Sequence, residues 1–527
     1  MLGLSPLSTL PISTLTSEQA VFTTTRTVYF GTHTFATRPN DALANQMIDG
    51  RIMAGLRLRR EIKTVERGQF GGLMDTSFGE IQLANNDGGI DFMASRYTAD
   101  GRPIRLKIGA KEINEVGREV VKSFNTFATV YTTVAGSWLF EHDILRLRLE
   151  SLTNKLNDKM QPSVYAGSGG EQGTSDMAGR TMPIALGRCP HVPAQSVDPS
   201  TLTYQLHTGP MQEVISVFDA GVSIPFDTNY AHYTALAAAT IPAGKYATSL
   251  LSGHIRLGTS PVGQITADVR GDIDNVNLSY VGTSGSIIRM VLRDYGGLTS
   301  AELDLTSFNN FVALQTGSFG LFLPAGDQST VLEVVERLAF QAGAVVGQDR
   351  SGLFRIFRLD PPGETPHWLF DDRNITKIER IDLPYLIPWK SWSVGYNVNF
   401  AVQTDADLAG SVTQARRQFL KTERRYGFAS NSAVALYHGA AGVAPSRESF
   451  WLTQAEAENE AERLSDFYSY GRAMYSVIIK DALFSIEIGQ VARITYNRFD
   501  LDAGKNFLIV GIEDDADRVQ TEVTCFG

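Results

Sequence analysis

Residues 329–359 read STVLEVVERLAFQAGAVVGQDRSGLFRIFRL, and this stretch carries both periodicities that decide the fold. Thr330 and Glu333 have capping-box spacing, so each side chain can close on a backbone N–H that the first helical turn leaves free. Val331, Val334, Val335, Leu338, Ala339 and Ala342 then recur every three or four residues, which puts them on one helical face. Gly343 suits the stop. Directly after it come the apolar pair Val345 and Val346, the turn residues Asp349-Arg350-Ser351-Gly352, and a second apolar run from Leu353 to Leu359. The reading is a helix followed by a β-hairpin.

Toward the C-terminus the same pair of signals returns. Thr453 and Glu456 repeat the capping-box spacing, and Ala457, Ala461, Leu464 and Tyr468 share a face that Gly471 can end. Strands are expected at Met474 to Ile479, Phe484 to Tyr496, Phe507 to Ile512 and Val519 to Cys525. In the last, Val519, Thr521, Val523 and Cys525 alternate with polar neighbours, which defines one sheet face.

Toward the N-terminus the pattern is β. Val21 to Phe35 is rich in Thr, Val, Tyr and Phe, residues that suit a half-buried pleated surface. Ile81 and Leu83 lead into the turn Asn85-Asn86-Asp87-Gly88-Gly89, whose residue types tolerate positive φ. Asp100-Gly101-Arg102 marks a second turn, and Ile104, Leu106 and Ile108 alternate beyond it. Thr126 to Leu139 and Asp143 to Leu152 read as further strands, with Leu145, Leu147 and Leu149 on one face. A glycine-rich break at Gly167-Ser168-Gly169-Gly170 and Gly173 precedes short apolar runs from Pro183 to Ile224. The chain is therefore read as mainly β with a few α-helices. At roughly 100–200 residues per domain, 527 residues imply about three or four domains. The division expected is an arm at 1–20, an N-terminal β domain at 21–160, a central β-rich region at 161–328, the helix-plus-hairpin region at 329–385 and a C-terminal α+β domain at 386–527.

Composition narrows the function classes. The hydrophobic fraction of 43% supports buried cores, and 57 acidic against 47 basic residues give a net charge of -10, which supplies no overall basic footprint for nucleic acid. Local basic clusters occur at Arg57, Arg59, Arg60 and Lys63, and at Arg416, Arg417, Lys421, Arg424 and Arg425; a solvated face or a subunit contact is the expected reading. Two cysteines, Cys189 and Cys525, cannot build a disulfide framework. No apolar run is long enough for a membrane helix. The start of the chain lacks the basic region of a secretory signal, and its Pro, Ser and Thr content suits an extended arm.

Chemistry-bearing motifs are sparse, and no catalytic, cofactor-binding or metal residue is assigned. Gly282-Thr283-Ser284-Gly285 lacks nucleophile-elbow spacing and reads as a turn. Cys189-Pro190-His191 places a thiol near an imidazole without a second ligand pair. The Gly167 loop lacks the Lys-Ser or Lys-Thr that a phosphate loop needs. Asp500, Asp502 and Gly504 lack the later acidic ligand of a calcium loop and read as a hairpin turn. Asp371-Asp372 and Asp514-Asp515 read as surface acids. An enzyme is not expected.

Several blocks resemble tail-tip (baseplate) hub proteins of siphophages, prophages and gene transfer agents. One is Phe78-Gly79-Glu80-Ile81-Gln82-Leu83 with Asn86-Asp87-Gly88, Asp91, Asp100-Gly101-Arg102 and Ile104 to Gly109. A second is Pro183 to Arg188 with Val192-Pro193-Ala194 and Tyr204. A third is the C-terminal helix with Ile488-Gly489-Gln490-Val491 and Phe507 to Ile512, and the Thr330 to Leu359 module suits the same family. The resemblance implies a virion protein with tube-like β-barrel or sandwich domains, two per chain, so that a homotrimer mimics a sixfold tail tube. It implies partners: a distal tail protein, the tape-measure protein and tail fibre or tip proteins, with phage DNA passing through without specific binding. It also implies assembly in the host cytoplasm. The alternatives are a hexameric distal tail protein, a tail-associated cell-wall hydrolase, and a receptor- or carbohydrate-binding tip. For a DNA conduit, net negative channel loops are expected, with Asp405, Asp407, Asp514, Asp515 and Asp517 as candidates, and the basic clusters at subunit contacts or outside.

Overall fold

The computed structural model describes residues 2–8, 25–53, 57–65, 69–381, 388–469, 471–480 and 484–527. Residues 9–24, which hold much of the expected arm and the start of the first expected strand, lie outside the described residues. The chain is mainly β, with 42% strand and 19% helix.

The quoted stretch folds as its periodicities require. Thr330 caps the helix Val331–Gln341, and both halves of the capping box form with Glu333. Val331, Val334, Val335, Leu338 and Ala339 are buried. Burying one such aliphatic side chain contributes roughly 1.5–3 kcal/mol. The cap contributes about 1 kcal/mol, so packing rather than capping holds this helix. Gly343 has a φ of 68° and starts the turn into the strand Ala344–Gln348, which pairs antiparallel with Phe354–Arg358. This hairpin lies at one end of a ten-stranded sheet. Val345 and Val346 pair in parallel with Gly72 and Leu73 of the strand Gln69–Phe78. Gly72 has a φ of 79°, and a β-carbon there would meet Glu336 and Phe340 of the helix at 3.2 Å and 3.6 Å; the helix can lie this close because the residue is glycine.

The same sheet joins segments from the two ends of the sequence. Arg57–Val65 pairs with Gln69–Phe78 on one side and with Leu501–Asp515 on the other, so that Arg57 faces Asp515 and Glu61 faces Gly511. Leu501–Asp515 continues through Gln520–Phe526 and Met474–Lys480 to the edge strand Ile375–Ile381. One face of this sheet is a core that includes Ile62, Val477, Ile509, Val523 and Cys525.

Three other sheets complete the larger architecture. A six-stranded antiparallel sheet contains Leu2–Ser8, Thr25–Phe30, Glu80–Ala84, Pro103–Ile108, Ala128–Phe140 and Ile144–Glu150. Its inward residues include Ile81, Leu83, Ile104, Leu145, Leu147 and Leu149, as the alternation required. Two five-stranded sheets fill the centre, one built on Ile184–Pro193, Met211–Asp219 and Ile265–Asp272, the other on Thr203–Gln205, Tyr246–Ser249 and His254–Leu257.

Four segments depart from the sequence expectation. Phe484 to Tyr496 is not one strand: the strand is Val491–Tyr496, and Phe484 and Gly489 at φ 55° and 84° put turns before it. Val519, also at positive φ and 60% exposed, leaves the sheet face that Thr521, Val523 and Cys525 form. Gly282 to Gly285 is not a free-standing turn but the entry to the helix Ser284–Met290, whose Ile287, Ile288 and Met290 are buried. The C-terminal helix runs Gln454–Phe467 and stops before Gly471, because Tyr468 already leaves helical geometry.

Candidate functional site: charge nodes and an assembly surface

The Arg57 to Lys63 cluster splits by strand alternation. Arg57 and Arg59 point to water, where they pair with Glu513 and Glu61. Arg60 points inward and is 1% exposed, so it is neither a solvated face nor a subunit contact. Its Nη1 donates to Glu487 Oε2 at 2.8 Å, and Arg350 Nε donates to the other carboxylate oxygen at 2.5 Å. Burial works to raise the Glu487 carboxyl, but the two guanidiniums outweigh it and hold it below the usual carboxylate value. Asp514 sits on the neighbouring strand, 1% exposed, accepting from the Phe484 N–H at 3.0 Å and from Thr521 Oγ1 at 2.7 Å. Burial keeps its carboxyl above the usual value despite those bonds. Asp514 therefore cannot line a channel. The node also reaches the N-terminal sheet, where Thr132 N–H donates to the Arg350 carbonyl at 2.8 Å.

The second basic cluster is likewise committed within the chain. Arg416 packs over the rings of Phe218 and Phe419, and Arg425 over Phe419. Arg417 and Lys421 both bind Asp405, and Arg424 pairs with Glu448. Asp407 closes a capping box on Thr404, and Asp515 accepts from the Asp517 and Arg518 N–H groups. These acids do turn and pairing work, whichever surface they face.

A second buried node, unforeseen in the sequence, sits where the C-terminal helix crosses the helix-plus-hairpin module. Arg463 donates to both oxygens of Glu460, at 2.7 Å and 2.6 Å, and also to the Leu359 carbonyl. Arg447, 5% exposed, donates to the Phe340 carbonyl and covers its ring. The Phe70 N–H donates to Tyr468 Oη at 2.7 Å. Gly343 must be glycine here, since a β-carbon would lie 2.5 Å from Arg463 Nη2. Burial would raise the Glu460 carboxyl, yet Arg463 and Arg447 hold it low. Helical spacing flagged Ala457 and Ala461; nothing in spacing flags a glutamate that faces inward beside them.

The remaining motifs are structural. Cys189 and Cys525 are free and buried, and burial pushes both thiols up. His191 is buried at a φ of 52°, bonds Gln403 through Nε2, and is driven down to about 4 by burial and the Arg416 charge. The Gly167 to Gly173 loop closes on itself through Gly167 N–H to the Gln172 carbonyl and Gly169 N–H to the Gly173 carbonyl. Asp500 and Phe499, at positive φ, form the hairpin turn between Val491–Tyr496 and Leu501–Asp515. Asp371 caps its own turn and pairs with Arg373. Among the described residues no three metal-ligating side chains gather.

What faces water instead is apolar. Phe428 (68% exposed), Leu436 (79%) and Val443 (60%) are large exposed residues of the three-stranded sheet Arg425–Ser430, Ser391–Tyr396 and Arg447–Trp451 and of the segments beside it. The hairpin Lys111–Ile113 with Glu119–Val121 carries Ile113 and Val116, also mostly exposed. Exposed apolar side chains of this size, where they adjoin, mark contact surfaces.

No protein-family model matches the chain, and no curated protein matches it. Among solved structures, a chain of the virion of a native gene transfer agent particle is 14% identical, with 66% of this chain and 84% of that one covered at a TM-score of 0.42. A tail protein from Neisseria meningitidis MC58 is 9% identical over 92% and 93%, at 0.38. The 43 kDa tail protein of prophage MuSo2 from Shewanella oneidensis is 8% identical over 91% and 94%, at 0.34. These three are virion and tail proteins.

Proposed function

We infer that this chain is a non-enzymatic structural component of a phage-type tail tip: a baseplate hub that links the tail tube and tape-measure protein to tip and fibre proteins and forms part of the DNA conduit. It acts as a homotrimer in the virion and is assembled in the host cytoplasm. The observation that carries the assembly reading is the exposed apolar set, Phe428, Leu436 and Val443 in and beside the three-stranded sheet and Ile113 and Val116 on the two-stranded hairpin, on a chain whose two basic clusters are paired internally. The resemblance of the sequence blocks supplies the particular assembly. In this reading the five segments at 1–20, 21–160, 161–328, 329–385 and 386–527 are the functional regions, with the strands Arg57–Val65 and Gln69–Phe78 sharing one sheet with the last strands of the chain.

The double variant L436D/V443D tests the apolar surface. Its expected outcome is normal folding by circular dichroism together with loss of the oligomer in analytical ultracentrifugation. An oligomer as tight as that of the parent chain would show that the surface is not an interface.

A further inference from the structure

On the water-facing side of the N-terminal sheet, a β-bulge opens a cleft. Ala135 lies opposite Leu149 and Trp138 opposite Leu147, so Gly136 and Ser137 together face the single residue Arg148. Bulges of this kind re-aim side chains and often border sites. A β-carbon at 136 would lie 2.6 Å from Glu150 Oε1, so the Glu150 side chain takes the space that this glycine leaves. The cleft encloses about 340 Å³ and is lined by Glu80, Ser137, Leu139, Glu141, Arg146 and Arg148 among others. Arg146 lies between two carboxylates, donating to Glu80 at 2.5 Å and ion-paired with Glu141 at 3.0 Å. Gln82 also donates to Glu80, at 2.8 Å, so that carboxylate is doubly held. Arg148 is exposed, and among the described residues it makes no ion pair, although its charge reaches Glu80.

The lining has two guanidiniums, two carboxylates, one hydroxyl, the partly buried indole of Trp138 and one exposed leucine. Its formal charge sums to zero, so the cleft has no bias toward an anion or a cation. It does offer charged donors and charged acceptors at close quarters on one concave surface, with Leu139 as an apolar contact. A ligand that both donates and accepts at adjacent positions satisfies such a lining, and vicinal hydroxyl groups do this without carrying charge. The volume lies at the small end of the range for ligand pockets, room for one or two sugar rings. We propose that this cleft binds a neutral saccharide, with Arg148 and Glu141 bonding adjacent hydroxyls and Arg146 held in place by Glu80. This stands independently of the tail-tip reading, since it uses only the residues of the cleft.

The test is an array of neutral and acidic glycans probed with the full chain, followed by titration of the best neutral sugar against the variants R148Q and E141Q. Hydrogen bonds to charged groups predict a loss of about tenfold or more for R148Q. E141Q should also weaken binding, whereas E213Q, on a distant strand, should bind as the parent does. Thermal melting confirms that each variant is folded. Failure of every neutral glycan to bind, preference for acidic glycans alone, or binding that R148Q and E141Q both leave unchanged would each overturn the proposal.

Discussion

Glu460→Ala is expected to destabilise the chain by about 3–5 kcal/mol, the effect of removing one partner from a buried ion pair. The magnitude follows from what remains. Arg447 would stay buried, and Arg463, its side chain 9% exposed, would lose the carboxylate that takes two of its N–H groups. Arg447 has no carboxylate of its own to take over: its hydrogen bond goes to the Phe340 carbonyl, and burial already drives its guanidinium down to about 10. The damage should spread, because the node ties the C-terminal helix to the end of the Val331–Gln341 helix and to the strand end at Leu359. Denaturant unfolding followed by tryptophan fluorescence measures it. A cost below about 1 kcal/mol, as for a surface substitution, would mean that water enters the node and solvates the guanidiniums.

Glu487→Ala should have a similar cost, again about 3–5 kcal/mol, since it strands Arg60 at 1% exposure and frees Arg350. Here a pH signature separates charge from packing. The Glu487 carboxyl is held below its ordinary 4.5 in the folded chain, so its contribution is present above about pH 4.5 and is lost as pH falls through the lower folded value. Glu460 has the same sign. Asp514 has the opposite sign: its raised carboxyl takes up a proton in the folded chain first, which adds stability as pH falls. The expected result is that the parent chain loses stability below about pH 4.5 and that E487A loses less across that window. Parallel acid profiles for the two proteins would remove Glu487 from the account.

How far the sequence spoke depended on the range of the interaction. Thr330 with Glu333 and Thr453 with Glu456 are three residues apart, so both capping boxes were legible, and both form. The alternation of Leu145, Leu147 and Leu149 likewise gave the buried face. The Arg57 to Arg60 run was misread because its meaning lies 427 residues away, at Glu487. Alternation alone says that Arg60 opposes Arg59; it does not say which of the two is buried. Asp514 was misread for the same reason, its neighbours Asp515 and Asp517 being ordinary turn acids. The strand expected from Phe484 failed on backbone geometry, since Phe484 is one of the few bulky residues here in the left-handed region. The bulge at Gly136 and Ser137 leaves no pattern in the sequence beyond a small pair inside a strand.

The hub role proposed above has the exposed apolar surfaces closing a ring of three. Electron cryomicroscopy of the assembled particle locates the chain and counts its copies around the tail axis. Three copies are expected at the tip end of the tube, with Leu436 and Val443 buried between neighbouring chains. Six copies in a single ring would replace the hub with a distal tail protein, and absence of the chain from the particle would contradict the tail reading outright.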